Sequence, residues 1–124
     1  MFSRRSIIGG IGGSLAALTL AHAAPARSPL RPPRLRRGDT VGLIAQASSD
    51  DEPLHLEFAL DTIRGMGLVP KLGQHVTDRY GYLSGTDEDR AADINAMFAD
   101  DTVRAIFAIR GGWGSARLLP LLDW

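Results

Sequence analysis

The chain has 124 residues and no cysteine, which excludes disulfides, thiol catalysis and thiolate metal sites. It also lacks a long hydrophobic run. Ile7 to Leu20 is only weakly apolar and is interrupted by Gly9, Gly10, Gly12 and Gly13, so it falls short of the roughly 20 apolar residues of a spanning helix. No stable membrane span is therefore expected. Acidic residues are missing from residues 1–38, which carry seven arginines. The remaining seven basic residues and all fourteen acids lie in residues 39–124, a net of −7. An acidic body argues against nucleic acid as a partner, because phosphate neutralisation needs a basic face. No group of residues has metal-ligand spacing, so no metal and no cofactor is expected.

What the N-terminus does contain is an address. Arg4-Arg5 opens a positively charged region, the weakly apolar run follows, and Ala21-His22-Ala23 and Ala24-Pro25-Ala26 offer small-residue cleavage sites. This layout predicts a signal peptide of the twin-arginine type over residues 1–26, with export to the periplasm. Residues 27–37, rich in proline and arginine, are expected to be a linker, because such a segment buries little. The glycines of the leader do not form a nucleotide loop, since no strand precedes them.

From residue 38 onward, strand and helix signals alternate. Thr40 to Ala45 is a first apolar strand, and Gln46 to Glu52 a polar loop. Leu56, Ala59, Leu60 and Ile63 recur at helical spacing, predicting a helix from Pro53 to Met66 that Gly65 or Gly67 would end. Leu68 to Leu72 reads as a second strand, at an edge because Pro70 cannot donate to a ladder. Gly73 to Gly85 is a long loop and so a candidate for function. Thr86 is a natural N-cap, with Asp87, Glu88 and Asp89 in the first turn. Ala91, Ile94, Met97 and Phe98 are expected to form the apolar face of that helix. Val103 to Ile109 is a third strand, followed by Gly111-Gly112-Trp113-Gly114-Ser115 and a short helix from Ala116 to Leu122.

The alternation predicts a three-layer, doubly wound parallel α/β sheet of flavodoxin-like or class I glutamine amidotransferase-like type, in strand order two, one, three. Its switch point lies between strands one and three, where ligands of such sheets bind. Three loops meet there: the one after the first strand, the Gly85-Thr86 turn and the turn carrying Ser115. A serine in a glycine-rich strand-to-helix turn has the setting of a nucleophile elbow. Ser115 is the candidate nucleophile, with a simple helix N-cap as the plain alternative. The backbone N–H groups of Ala116 and Gly85 are candidate oxyanion donors. His55 and His75 are expected to be solvated rather than catalytic, since nothing pairs either with Ser115.

Three stretches carry a family resemblance: Gly38 to Ala45, Tyr82 to Asn95, and Ile109 to Asp123 with Arg110-Gly111-Gly112-Trp113-Gly114-Ser115-Ala116-Arg117 at its centre. In this order they resemble the LD-carboxypeptidase (muramoyltetrapeptide carboxypeptidase) family of serine peptidases. The resemblance implies a Ser-His-Glu triad whose serine is Ser115, and hydrolysis of the bond between the L-centre of a diamino acid and the terminal D-alanine of a murein tetrapeptide. It also implies that residues 38–124 are the N-terminal nucleophile domain, with the Glu and His in a later domain that this sequence lacks, and leaves the fragment inactive alone. Cytoplasmic action is usual for that family, which makes a cytoplasmic location the alternative to export.

Within that frame Arg110 is a candidate for holding the substrate carboxylate, or else an anchor for an acid of the domain. Gly112 and Trp113 are candidates to line the substrate pocket, with packing the alternative for Trp113. Ser48 is a further substrate-binding candidate, with Ser49 beside it at the switch point. A murein peptide is the expected partner, and a homodimer is left open. The rival from another class is a phosphate- or nucleotide-binding module, since Gly112 to Arg117 reads G-x-G-x-x-R, although the third glycine and the Walker lysine are missing. A non-catalytic, degenerate domain is the third reading.

Overall fold

The computed structural model describes residues 31–50 and 52–124; the expected signal peptide and residues 27–30 of the expected linker lie outside them. Three strands, β1 (Thr40–Ile44), β2 (Val69–Leu72) and β3 (Val103–Ala108), alternate with two helices, α1 (Pro53–Gly65) and α2 (Asp87–Ala99). A 3₁₀ helix, Ser115–Leu121, follows β3. The sheet is parallel in the order β2-β1-β3, as the sequence predicts. Val41 stands opposite Pro70 in β2, which lies at an edge. Against β3 the register slips by one residue between Thr40 and Val41.

The period of two in β1 separates its faces. Val41 and Leu43 pack with Leu60 and Ile63 of α1 and with Leu68, and Ala105, Phe107 and Ile109 close the cluster from the β3 side. On the opposite face Gly42 makes room for α2. A Cβ there would come within 2.6 Å of the Met97 sulfur, so the glycine lets helix and strand approach. Burial of each large aliphatic side chain in such a core contributes about 1.5–3 kcal/mol.

Both helices start where local chemistry dictates. Glu52 caps α1 and accepts from Leu54 N–H, with Pro53 in the first turn, where its missing N–H costs no hydrogen bond. Thr86 and Asp89 form a reciprocal capping box at the start of α2.

Two expectations need correction. Phe98, expected on the buried face of α2, is 78% exposed, whereas Arg90 and Asp93 are buried alongside Ala91 and Met97. Asp93 explains its own burial: its carboxylate accepts from the N–H groups of Gln74 and His75 at 2.8 and 3.0 Å, satisfying the start of the long loop. The last helix is a 3₁₀ helix and starts one residue earlier than expected, at Ser115. Pro120 sits inside it and has no N–H to give an α-helical bond.

Candidate functional site

The three loops expected to converge at the carboxyl ends of β1 and β3 are joined by direct contacts. Ser49 N–H donates to Tyr82 C=O at 3.0 Å, Ser84 N–H donates to Ala47 C=O at 3.0 Å, and Ser48 forms an antiparallel bridge with Leu83. Leu83 in turn lies under the glycine turn, since a Cβ on Gly114 would meet its Cδ2 at 2.7 Å. The Tyr82 and Trp113 rings meet edge to face with centroids 5.8 Å apart.

The sharp bend before Ser115 is taken by its glycines. Gly112 and Gly114 have φ of 126° and 102°, while no residue other than glycine has a positive φ among the described residues. Gly114, not Ser115, occupies the N-cap position, and no side chain caps this helix. Ser115 is therefore its first helical residue, and the reading of Ser115 as an N-cap is replaced. The Ser115 hydroxyl is half-buried and donates to Gly112 C=O at 3.3 Å. No His or Glu among the described residues hydrogen-bonds it. Ala116 follows at the open start of the helix, and Gly85, with φ of 87°, precedes the Thr86 cap of α2.

One residue that sequence reasoning passed over ties these parts together. Arg90 is 1% exposed. Its Nη1 donates to Gln46 C=O at 2.7 Å and to Gly114 C=O at 3.4 Å, its Nε donates to Thr86 C=O at 3.2 Å, and its Nη2 pairs with Asp87. The second oxygen of Asp87 holds Arg117 at 2.7 Å. A signal was present in the sequence: an arginine on a helix face otherwise set by Ala91 and Met97 needs buried acceptors if it turns inward.

Arg110 lies beside a cavity of about 370 Å³ whose walls include Ala45, Leu54, Leu56, Val76 and Ile109. Its guanidinium is half-exposed and stands 3.7 Å from Asp50, which also bonds His55 Nδ1 at 2.9 Å. Burial pushes the Asp50 carboxyl up, but the His55 and Glu52 hydrogen bonds and the charges of His55 and Arg110 outweigh it, so its pKa lies below the ordinary value. Trp113 is largely exposed and does not border this cavity, whereas Ser48 is buried under Leu83.

His75 is held more firmly than a solvated loop histidine. Its Nδ1 is 2.7 Å from Asp78 and its Nε2 4.0 Å from Asp89. One ligand atom from each of the three residues lies within 4.8 Å of the others, the spacing a metal ion could use. The Asp78 hydrogen bond raises the His75 pKa, burial opposes it, and the charges of Asp93, Asp89 and Asp78 add to the rise. The sign for stability follows from this. The folded-state pKa lies above the ordinary 6.5, so the contribution is complete below about pH 6.5 and disappears as pH climbs through the folded value. The unfolding midpoint should fall over that window in the parent and stay flatter in His75→Gln. Parallel profiles for the two would show that the ring is not coupled to its aspartates.

Comparison with known proteins places this geometry. The LD-carboxypeptidase N-terminal domain matches residues 41–124. The chain belongs to the LD-carboxypeptidase family. It is 43% identical over 94 residues to the "probable murein peptide carboxypeptidase" of Bacillus subtilis, covering 76% of this chain and 29% of that protein. It is 42% identical over 84 residues to the murein tetrapeptide carboxypeptidase of Pseudomonas aeruginosa, covering 68% of this chain and 27% of that protein. The solved structure of the microcin C7 self-immunity protein MccF superposes with a TM-score of 0.72 at 26% identity, over 77% of this chain and 29% of MccF. The chain thus spans less than a third of the length of these relatives. The three-stranded parallel sheet is the LD-carboxypeptidase form of the flavodoxin-like α/β architecture. Among the described residues no helix is long and apolar enough to cross a membrane.

Proposed function

We propose that this chain is the nucleophile-bearing domain of a serine carboxypeptidase that releases the terminal D-alanine from murein tetrapeptides. The observation that carries the reading is Ser115, bent by Gly112 and Gly114 to the open start of a helix in a chain of the LD-carboxypeptidase family. Two of its relatives bear the names of murein peptide carboxypeptidases.

In this reading the Ser115 Oγ attacks the carbonyl carbon of the diamino acid's L-centre while a base takes its proton. The tetrahedral oxyanion is received by the N–H groups of Ala116 and Gly85, donors fixed before the charge develops. Collapse breaks the C–N bond, the proton passes to the departing D-alanine amine, and water then hydrolyses the acyl-enzyme. The Ser115 hydroxyl donates to Gly112 C=O at 3.3 Å, and no His or Glu among the described residues hydrogen-bonds it. The resemblance assigns the base and its orienting acid to a His and a Glu of a later domain, and residues 38–124 alone are then inactive. Arg110, held only loosely by Asp50, is free to turn to the carboxylate of the terminal D-alanine. Gly112, Trp113 and Ser48 lie on the loops around that substrate.

The phosphate-binding alternative loses support from the ion pairs. Of the cations around the glycine turn, Arg117 and Arg90 are both engaged by Asp87, and Arg110 stands 3.7 Å from Asp50. The test sets the two readings side by side. Residues 38–124, joined to the remaining domain of the Pseudomonas relative, should release D-alanine from a murein tetrapeptide, and the chain itself should show no micromolar binding of ATP, NAD or FMN. Nucleotide binding without D-alanine release would reverse the assignment.

Export belongs to the same proposal: Arg4-Arg5 and the weakly apolar run after it direct the chain through the twin-arginine route to the periplasm. Replacing both arginines by lysine should leave the protein in the cytoplasm. Undiminished delivery of that variant would exclude the route.

A further inference from the structure

We propose that Arg90 is the positioning residue of this site, its buried guanidinium setting the Ser115 turn in place against the loops that carry Gln46 and Thr86. The inference rests on Ser115 being the nucleophile, and it concerns what holds that serine still.

The geometry leads there step by step. The Gly114–Ser115 peptide is a rigid plane, so fixing the Gly114 carbonyl fixes the direction of the Ser115 N–H and the origin of its side chain. Gly114 has φ of 102° and no side chain to anchor it. The Arg90 Nη1 bonds that carbonyl at 3.4 Å and lies 3.5 Å from where a Gly114 Cβ would stand. The same nitrogen bonds Gln46 C=O at 2.7 Å, and Nε reaches Thr86 C=O at 3.2 Å, beside the oxyanion candidate Gly85. One planar group therefore touches all three loops at the carboxyl edge of the sheet.

Its orientation is itself constrained. Asp87 pairs with Nη2, and Asp87 also holds Arg117, two residues past Ser115 on the 3₁₀ helix. Both sides of the Ser115 turn are thus referred to the start of α2. The planar fork of arginine suits this bridging, whereas the single ammonium of lysine could serve only part of it. A buried cation without its acceptors would be costly, which makes the arrangement stiff as well as specific.

The chain has no cysteine, so Ser115→Cys gives one thiol whose chemistry reports on the turn without requiring catalysis. Its alkylation by iodoacetamide is followed in the intact chain over roughly pH 6 to 10, a range that brackets an ordinary thiol. In that background Arg90→Lys keeps the charge and loses the fork, and should slow alkylation about fivefold at fixed pH while circular dichroism stays native. Asp87→Asn, which leaves the guanidinium but removes its counter-charge, should give a smaller shift in the same direction. If Arg90→Lys fails to fold, Asp87→Asn alone carries the comparison. Parent-like alkylation in the folded variants overturns the proposal.

In the active chimera with Ser115 restored, Arg90→Lys should lower kcat about 100-fold and leave KM within about threefold, as expected for a nucleophile displaced by an ångström or so. A rise in KM with kcat unchanged would equally defeat the positioning role. If the parent chimera releases no D-alanine, the carboxypeptidase reading fails, while the alkylation series still decides the role of Arg90.

Discussion

Ser115→Ala is expected to abolish D-alanine release while leaving the fold almost untouched. Loss of a triad serine removes the covalent step, and the reduction in kcat should be about 10⁴-fold or more, with a residue of catalysis from the oxyanion donors and binding. The stability side of this prediction comes from the position of the side chain. Ser115 is half-buried, does not cap its helix, and makes one hydrogen bond of 3.3 Å to Gly112 C=O. Its loss should cost no more than about 0.5 kcal/mol, in the range of ordinary surface substitutions. Activity and thermal unfolding measured on the same variant separate the possibilities. Near-parental D-alanine release would remove Ser115 from the chemistry, and a collapse in unfolding midpoint would make it a structural residue.

The second large effect is expected at Gly114. Its φ of 102° is unfavourable for any residue with a Cβ, at about 1–2 kcal/mol. A Cβ would also come within 2.7 Å of Leu83 Cδ2, and overpacking of this kind costs about 1–3 kcal/mol. Gly114→Ala should therefore destabilise the domain by about 2–4 kcal/mol and lower its melting temperature by roughly 10 °C or more. Gly111→Ala is the control, because its Cβ would meet nothing within 4 Å and its φ is not positive. Urea unfolding of both variants checks the argument. Equal midpoints for Gly114→Ala and Gly111→Ala would mean the turn relaxes freely and does not hold Ser115 in one place. The same Gly114→Ala should also impair any activity of the chimera, because the strain falls on the peptide that carries Ser115.

Much of this architecture is legible along the chain because it depends on neighbours a few residues apart. The Leu56-Ala59-Leu60-Ile63 stripe, the Thr86 cap with acids behind it, and Pro70 in an edge strand each specify their element through local sterics and hydrogen bonds. The strand order follows from those elements, since short parallel crossovers leave few topologies. The family membership and the position of Ser115 in its glycine turn are likewise carried by contiguous residues.

The parts settled only in three dimensions are those in which a side chain serves a backbone far away in sequence. Periodicity placed Phe98 inside α2 and gave no reason to bury Arg90 or Asp93. In the folded chain Asp93 receives the N–H groups of Gln74 and His75, and Arg90 supplies donors to Gln46 and Gly114, residues 44 and 24 positions away. Loop carbonyls and amides brought to one sheet edge must be satisfied there, and that demand, rather than hydrophobicity, turned the polar side of α2 inward. The identity of the last helix's cap was also decided in three dimensions, where Gly114 packs against Leu83 and its carbonyl accepts from Arg90. The sequence by itself thus determined the strands, the helices and the glycine turn that carries Ser115, and tertiary contacts decided how they are held, because unsatisfied backbone groups exist only once the loops have met.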